Sequence, residues 1–560
     1  MTDSKFSKLA GKLKTALPIL KVSASIGLLA FAIILIAYYT LFASRGSFHS
    51  DTTDTIMWAQ ASYDAGKLFN PDFSYACLLP FGTSLIMTFL IPFTGVTMTT
   101  HVLGMCIFFF LFTGSMIWML RQMKWKSGWI AVAVFSVLML CSGSTKLREI
   151  FWGHTIYYSL GILFLFVGLG LVFHRINQMN VLEKPENSGK SRKTLIFIIL
   201  DTILIFVWFI LTCMDQTIAV TIFAVPVILA VFCERFLDRK IRLCSFRNLD
   251  TILLVILMSV GMCIGYALTN QLAGDITAGY QEAYSSYSDM DSWMNNLLKF
   301  PTAWVSLLGA TAVDDDPLLS VQSVQSLLII VTGMILLILP TAALFCYPKI
   351  QDRKFRILIL SYWFMTGLIL LGYVVGKLSI ANWRLSPIVA MSALVSIAFV
   401  KWAVTQVNLK RIAMLLSIPV YVVSIFNSTI IAGMPTDNTS ENPLYQIAEK
   451  LEELHLSYGY ATFWNANGLT IVSDSKIRCR DVEIDENGFY QRYYQTNIHW
   501  YEDQPGQEEY FILLSDLEAA WIMNGNPEIY QKPHRTEDVT IEINQKQEHY
   551  QVWIYSENIF

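Results

Sequence analysis

Long apolar runs, separated by short polar and charged segments, fill the first three quarters of the chain. A helical run of about 20 apolar residues matches the hydrocarbon thickness of a bilayer. Because only helices and closed barrels satisfy every backbone polar group inside a bilayer, each run predicts a membrane-spanning helix. The pattern predicts eleven spans, at residues 22–43, 99–120, 128–143, 156–173, 194–212, 217–234, 250–268, 326–346, 357–375, 386–404 and 412–432.

The apolar segment 80–97 differs from these runs because Pro80, Gly82, Pro92 and Gly95 interrupt it. Proline and glycine disfavour a continuous helix. We therefore expect an interfacial or re-entrant helix here, and a short additional span is the alternative. Such a span would reverse the alternation of all later loops between the two sides of the membrane.

The distribution of Lys and Arg predicts the orientation. The predicted inner loops and the N-terminus hold 24 of these residues, and the outer loops before residue 435 hold 7. Because positive residues are retained on the cytoplasmic side, we predict a multi-pass protein of the cell (plasma) membrane with a cytoplasmic N-terminus. The first span is expected to be retained, and the long outer loops are 44–97 and 269–325.

Residues 435–560 change to shorter periodic segments and are predicted to form a small extracytoplasmic α/β domain. An amphipathic stripe at 444–454 predicts a helix, and runs rich in β-formers predict strands. The predicted strands are 460–464, 469–472, 477–484 and 510–514, with a short helix at 516–522 and a hairpin of 539–543 with 550–555. The fold class is thus mainly α: a polytopic transmembrane helical bundle (residues 1–434) with this C-terminal domain.

The composition agrees with a membrane protein and argues against a soluble protein or a nucleic-acid-binding protein. The chain is 54% hydrophobic and 15% charged, whereas soluble proteins carry about a quarter charged residues. The net charge of −3 hides an acidic tail, with 22 Asp and Glu against 8 Lys and Arg from residue 435 onward. An acidic tail argues against a nucleic-acid partner. The nine cysteines show neither a disulfide framework nor zinc-ligand spacing.

Ionisable residues near the outer ends of the predicted spans are the candidates for chemistry, because such residues are costly at membrane depth and are often functional. These residues are His49, Asp51 and Asp54; Lys146, Arg148, Glu149 and His154; Asp215; and Arg384 beside Trp383. The second long outer loop adds Asp314–Asp316 and the tyrosines Tyr280, Tyr284 and Tyr287.

Asp51 and Asp54 allow two interpretations. In the structural one, Asp51 is a helix N-cap and Asp54 the third helical residue, where a carboxylate complements the helix dipole. That helix would continue through Trp58 and Ala59 to a stop at Gly66. In the catalytic interpretation, the same dipole keeps a carboxylate ionised and able to accept a proton. The residues alone leave both open.

The first outer segment resembles the C superfamily of glycosyltransferases (GT-C), which includes protein mannosyltransferases and the aminoarabinose transferase of lipid A. The similar features are Asp51 with Ala59 and Gly66 downstream, Asn70–Phe73 and Leu79–Gly82, and, in the tail, Tyr458–Trp464, which resembles segments of bacterial members. The resemblance implies a polyprenyl-phosphate-linked sugar as donor and inverting transfer to a hydroxyl acceptor on the outer face. The acceptor would be a cell-envelope glycan, lipid or protein.

The resemblance also implies a first-loop Asp as catalytic base. Members commonly carry Asp-Glu at that position, whereas Thr52 follows Asp51 here. Asp51 is preferred from its spacing to Ala59, and Asp54 stays the alternative. A phosphate leaving group needs little protonation by an acid, but it does need cations that stabilise its negative charge.

Other residues are candidates for binding the substrate. Arg384, Arg148 and Lys146 are the candidate phosphate-binding cations, although Arg384 is equally well explained as an interfacial snorkelling side chain. Glu149, His154, Asp215 and His49 are candidates for binding acceptor or phosphate, each with a structural role as the alternative.

Two other functions remain open from the sequence: a transporter or flippase of lipid-linked glycans, and a non-catalytic sensor or scaffold. Transporters favour ionisable residues at the bilayer midplane and internal repeats, and neither pattern is evident. No cofactor motif is visible. Asp314–Asp316 would offer oxygen ligands to a divalent cation, but three adjacent acids are more often a solvated loop.

Overall fold

The structure is a computed structural model that describes residues 2–155, 157–182, 191–236, 246–274, 276, 286–311, 317, 319–377, 381–543 and 545–560. For residues 2–20, 191, 246 and 247 only the backbone is described. The predicted acidic run Asp314–Asp316 and the tyrosines Tyr280 and Tyr284 lie outside the described residues.

The part before residue 435 is helical. Its helices are α1 (Thr2–Leu41), α2 (Ser50–Ala65), α3 (Thr83–Thr94), α4 (Met98–Gln122), α5 (Ser127–Leu140), α6 (Thr145–Arg148), α7 (Tyr158–Leu182), α8 (Ser191–Cys213), α9 (Gln216–Ala219), α10 (Val225–Phe236), α11 (Phe246–Ala273), α12 (Met290–Leu307), α13 (Val321–Phe345), α14 (Arg353–Val375), α15 (Ser386–Ala403) and α16 (Lys410–Ala432). Short π-helical turns, Glu149–Gly153 and Val220–Ala224, continue α6 and join α9 to α10.

The described helices confirm the predicted multi-pass bundle. Ten of them are long and apolar enough to cross a membrane, and α5 with Thr145–Gly153, bent by 114°, makes an eleventh candidate. Each predicted span coincides with one of these eleven. Helix α3, within 80–97, has 12 residues and a length of about 18 Å, which is too short to cross the hydrocarbon core.

Ion pairs between helices hold one end of the bundle together. Arg175 of α7 contacts both carboxylate oxygens of Asp250 on α11, at 2.5 and 2.9 Å. Arg353 lies 2.6 Å from Glu234, and Lys354 donates to the carbonyl of Gln122 at 2.8 Å. These contacts involve residues of the loops predicted to be cytoplasmic.

The opposite end carries the C-terminal domain, which packs on residues 43–98; we call it the domain end. The domain has a six-stranded mixed sheet in the order β3-β2-β1-β4-β6-β5, in which β1 pairs parallel with β2 and β4. The strands are β1 (Tyr458–Thr462), β2 (Arg478–Asp485), β3 (Gly488–Gln491), β4 (Tyr510–Ser515), β5 (Arg535–Ile543) and β6 (Lys546–Tyr555); the helices are α17 (Pro443–Glu453), α18 (Ala466–Val472), α19 (Asp516–Gly525) and α20 (Pro527–Tyr530).

The predicted strand at 469–472 is wrong, because these residues belong to helix α18. Strands β1 and β2 are parallel neighbours, so the chain must cross over between them, and a helix is the usual crossover. The β-propensity of Leu469, Ile471 and Val472 is overridden by this topology, and all three side chains are buried. The other predicted strands and helices of the domain are confirmed within a few residues.

Hydrophobic packing joins this domain to the bundle. A single cluster of buried side chains contains Phe48, Ile56 and Met57 together with Leu444 and Leu469 of the domain. Asn442 adds hydrogen bonds from its amide to the carbonyls of Arg45 and Phe48. The domain is therefore seated on the start of α2.

Helix packing in the bundle yields a first prediction. A Cβ at Gly265 of α11 would lie 2.2 Å from the carbonyl oxygen of Ile210 on α8, whereas a Cβ at Gly367 of α14 meets nothing within 4 Å. We expect Gly265→Ala to destabilise the protein by about 1–3 kcal/mol through overpacking. Thermal unfolding in detergent measures the change.

Gly367→Ala is the matched control, because alanine is the better helix former and has space there. It should leave the unfolding midpoint unchanged or raise it. Equal midpoints for the two variants would show that the close approach of α8 and α11 is not a packing constraint.

Candidate functional site

The start of α2 places both candidate carboxylates. The helix begins at Ser50, and His49 is its N-cap, so the predicted N-cap at Asp51 is displaced by two residues. The His49 amide donates to the Thr52 hydroxyl at 3.2 Å. Within the described residues the Asp51 carboxylate accepts no hydrogen bond, and it is half-buried. The Asp51 carboxylate therefore does not cap the helix.

A charged cluster forms around Asp51. One oxygen or nitrogen each from His49, Asp51 and Glu149 lie within 4.8 Å of one another. Lys146 Nζ lies 2.7 and 2.6 Å from the two Glu149 oxygens. The same Nζ lies 5.0 Å from the centroid of the Trp383 ring. Segments that are far apart in sequence therefore meet at this point of the domain end.

Asp54 lies in a different environment, one helical turn further. It is 8% exposed, and its Oδ2 is 3.7 Å from His154 Nε2. Burial raises the pKa of Asp54, and His154 opposes the rise. A carboxyl group in this setting is better suited to hold a proton than to receive one from an incoming substrate.

The C-terminal domain closes over Asp54. Gln495 accepts a hydrogen bond from the Trp58 indole at 2.6 Å. The backbone of Gln495 has φ of +62° and its amide donates to the Ser74 carbonyl at 2.8 Å. Residues 495–498 are thereby fixed to the first loop, over the buried side of α2.

A second buried carboxylate, Asp481 on β2, lies in the domain behind this contact. Asn467 donates to it at 2.9 Å, and Arg492 Nη1 lies 3.5 Å away. Burial raises the pKa of Asp481 to about 7, and Arg492 opposes the rise. The Arg492 guanidinium also covers the ring of Phe463 at 4.5 Å, so this pair supports the loop that follows β1.

The remaining predicted site residues are distributed as follows. Arg148 turns inward, donating to the Ser142 carbonyl at 3.0 Å and to Thr145 at 3.2 Å. Asp215 is buried under the first loop and accepts from the amide of Phe81 at 3.1 Å; burial raises its pKa well above the usual value.

Arg384 follows Trp383 in a short 3-10 turn, Asn382–Leu385. Its side chain makes no ion pair or hydrogen bond with the part of the chain that the structure describes. Because Trp383 contacts Lys146, this turn borders the cluster around Asp51. Arg384 is therefore a cation beside the candidate site that is not committed to a partner among the described residues.

An apolar cavity of about 610 Å³ lies between α2 and α3. This volume is within the range of ligand sites. Its lining includes Trp58 and Ser62 of α2, Phe89 and Phe93 of α3, and Lys67. Trp58 is seven residues beyond Asp51, about 10 Å along the helix axis, so the cavity begins close to the carboxylates.

Sequence reasoning missed the contribution of the C-terminal domain. Gln495, Asp481 and Arg492 carry no motif, and Gln495 reaches Trp58 across 437 residues. The only local signal was the aromatic segment ending in Phe463 and Trp464, which lies against α2: Ser50 Oγ donates to the Trp464 carbonyl at 2.6 Å.

Comparison with protein families and with curated proteins finds no match to this sequence. Among solved structures, the chain is similar to a crystal structure of ArnT from Cupriavidus metallidurans bound to undecaprenyl phosphate. The TM-score is 0.40 and the sequence identity 12%, over 96% of this chain and 98% of that chain. A likeness at this level assigns no residue and no activity.

The raised pKa of Asp481 predicts a pH dependence of stability. An unfolded Asp loses its proton near pH 4, whereas folded Asp481 keeps it to about pH 7. Between these values the folded state binds more protons, so the free energy of unfolding must fall as pH rises. We expect Asp481→Asn to flatten the decline of the unfolding midpoint between about pH 4 and 7.

The exposed Asp503 offers a control, and Asp503→Asn should retain the wild-type pH profile. A profile for Asp481→Asn that runs parallel to wild type would exclude this carboxyl group as a source of the pH dependence.

Proposed function

We propose that this protein is a membrane glycosyltransferase that transfers a sugar from a polyprenyl-phosphate donor to a hydroxyl acceptor, with Asp51 as the general base. The observation that carries the proposal is the half-exposed Asp51 carboxylate, which has no hydrogen-bond partner among the described residues and lies beside His49 and Glu149, with Lys146 paired to Glu149. The donor class rests on the resemblance of the first loop to the GT-C superfamily.

The reaction balances with one base. Asp51 takes the proton of the acceptor hydroxyl as its oxygen bonds to the anomeric carbon. The bond from that carbon to the phosphate oxygen breaks, and the phosphate leaves with the electron pair. Attack opposite to the leaving group inverts the anomeric carbon. General-base assistance of this kind contributes about 10²–10⁴-fold to a rate.

Cations near Asp51 suit the leaving phosphate. Arg384 is the strongest candidate, because a guanidinium can donate two parallel hydrogen bonds to a phosphate and its side chain has no partner among the described residues. Lys146 is bound to Glu149, but an ammonium group has three donors. Arg148, in contrast, already donates to Ser142 and Thr145, so we assign it a structural role.

The remaining candidates then take supporting roles. Asp54 and His154 form a buried pair that fixes the second turn of α2. His49 and Glu149 contact each other and set the electrostatic environment of Asp51. Asp215 anchors the loop at Phe81. The apolar cavity between α2 and α3 offers a place for the hydrocarbon chain of the donor, with its phosphate toward the start of α2.

The side of the membrane on which the reaction occurs follows from the orientation of the chain. The positive-inside distribution in the sequence favours an extracytoplasmic domain end. We infer that donor and acceptor meet on the outer face of the cell membrane, with the N-terminus in the cytoplasm.

The base assignment is tested by replacing each carboxylate. We expect Asp51→Asn to lower turnover by about 100- to 10,000-fold. Asp54→Asn should have a smaller effect, because burial already favours the protonated form of Asp54. Release of polyprenyl phosphate is measured with purified protein, a panel of polyprenyl-phosphate hexoses and pentoses, and envelope polysaccharide as acceptor.

Asp503→Asn serves as the control, since Asp503 is exposed in the C-terminal domain. Loss of turnover in Asp54→Asn with full activity in Asp51→Asn would move the base to Asp54. Full activity in both would eliminate the proposed mechanism.

A divalent cation is the alternative partner for the leaving phosphate, and His49, Asp51 and Glu149 have suitable ligand atoms. Lys146, however, contacts both oxygens of Glu149 and competes with a metal for them. We therefore expect turnover to be unchanged by EDTA. Activity that EDTA abolishes and that Mg²⁺, Mn²⁺ or Ca²⁺ restores would contradict this expectation.

A further inference from the structure

We propose that Trp464 of the C-terminal domain is the platform on which the acceptor binds, and that the acceptor is an uncharged glycan. This inference rests on the proposed function, since it names the acceptor of that same site.

Trp464 is held next to the candidate base by its backbone. Its carbonyl accepts the hydrogen bond from Ser50 Oγ at 2.6 Å, and Ser50 immediately precedes Asp51. The indole itself is 68% exposed. A large aromatic face is therefore available to a ligand, on a residue whose backbone contacts the neighbour of Asp51.

The sheet topology independently marks this position. Strand β1 ends at Thr462, and its parallel neighbours β2 and β4 lie on opposite sides of it. In α/β sheets, ligands bind outside the carboxyl ends of parallel strands where the strand order reverses. Trp464 lies two residues beyond the end of β1, at such a point.

The loop that carries Trp464 is pre-organised. The rings of Phe463 and Trp464 have centroids 5.5 Å apart, and the Arg492 guanidinium lies over Phe463 at 4.5 Å. Arg492 is in turn paired with buried Asp481 at 3.5 Å. A ligand that stacks on Trp464 thus meets a loop that is already ordered, which reduces the entropy cost of binding.

The chemistry of the surface selects a glycan. A sugar ring presents hydroxyl groups at its edge and an apolar C–H face, which packs on an indole while one edge hydroxyl faces the base. The domain carries 22 acidic against 8 basic residues, which disfavours a strongly anionic acceptor through like-charge repulsion. An uncharged polysaccharide satisfies both conditions.

The test compares four variants of the full-length protein in lipid vesicles, with the neutral polysaccharide fraction of the producing cell's envelope as acceptor. Trp464→Ala should raise the acceptor concentration for half-maximal rate by about three- to tenfold, as expected for loss of an aromatic contact. The half-saturating donor concentration should stay unchanged. Trp464→Phe should retain most of the acceptor affinity.

Two further variants separate the explanations. Trp521→Ala removes another exposed tryptophan of the same domain, 44% exposed on α19, and should behave as wild type. Trp464→Leu keeps an apolar side chain but not a flat ring, and should resemble Trp464→Ala. Acceptor affinity restored by leucine would overturn the proposal, because it would show that an apolar side chain without a flat ring is sufficient.

A binding measurement separates failure of this inference from failure of the proposed function. Retention of the same polysaccharide is compared for Asp51→Asn and for Asp51→Asn with Trp464→Ala, where no turnover is needed. Loss of retention in the second protein supports the platform even if wild type transfers no sugar. Equal retention, or wild-type acceptor dependence in Trp464→Ala, overturns it.

Discussion

The packing of helix α2 between the bundle and the C-terminal domain is the interaction on which the candidate site depends. This helix contacts α3, and it shares a hydrophobic cluster with residues of α3 and of the domain. Two hydrogen bonds, from Ser50 to Trp464 and from Trp58 to Gln495, fix both halves of the helix. Anything that shifts the domain must therefore shift the carboxylates as well.

This arrangement gives two neighbouring carboxylates different properties. Asp51 lies at the start of the helix, half-buried among charged groups, whereas Asp54 is covered by the domain and by His154. Burial penalises the ionised form of Asp54. A proton-accepting role is thus more compatible with Asp51, and the domain contributes to the distinction by excluding water from Asp54.

The candidate site also lies between an apolar surface and an exposed aromatic side chain. An apolar cavity between α2 and α3 adjoins it on one side, and the exposed indole of Trp464 lies on the other. The first suits a hydrocarbon chain and the second a hydrated sugar. This combination agrees with the proposed pair of substrates, because a lipid-linked donor and a glycan acceptor would each stay in its preferred solvent.

The sequence by itself determined the elements whose cause is local. Apolar runs of sufficient length predicted the eleven candidate spans, and Gly66, which adopts φ of +61°, ended α2 where expected. It also selected the acids and cations that the domain end brings together, although their roles remain predictions. Tertiary structure alone decided that 469–472 is a helix and that Gln495 covers Asp54. These outcomes depend on a parallel strand pairing and on contacts across hundreds of residues, such as Trp58 with Gln495, and no local pattern encodes such contacts.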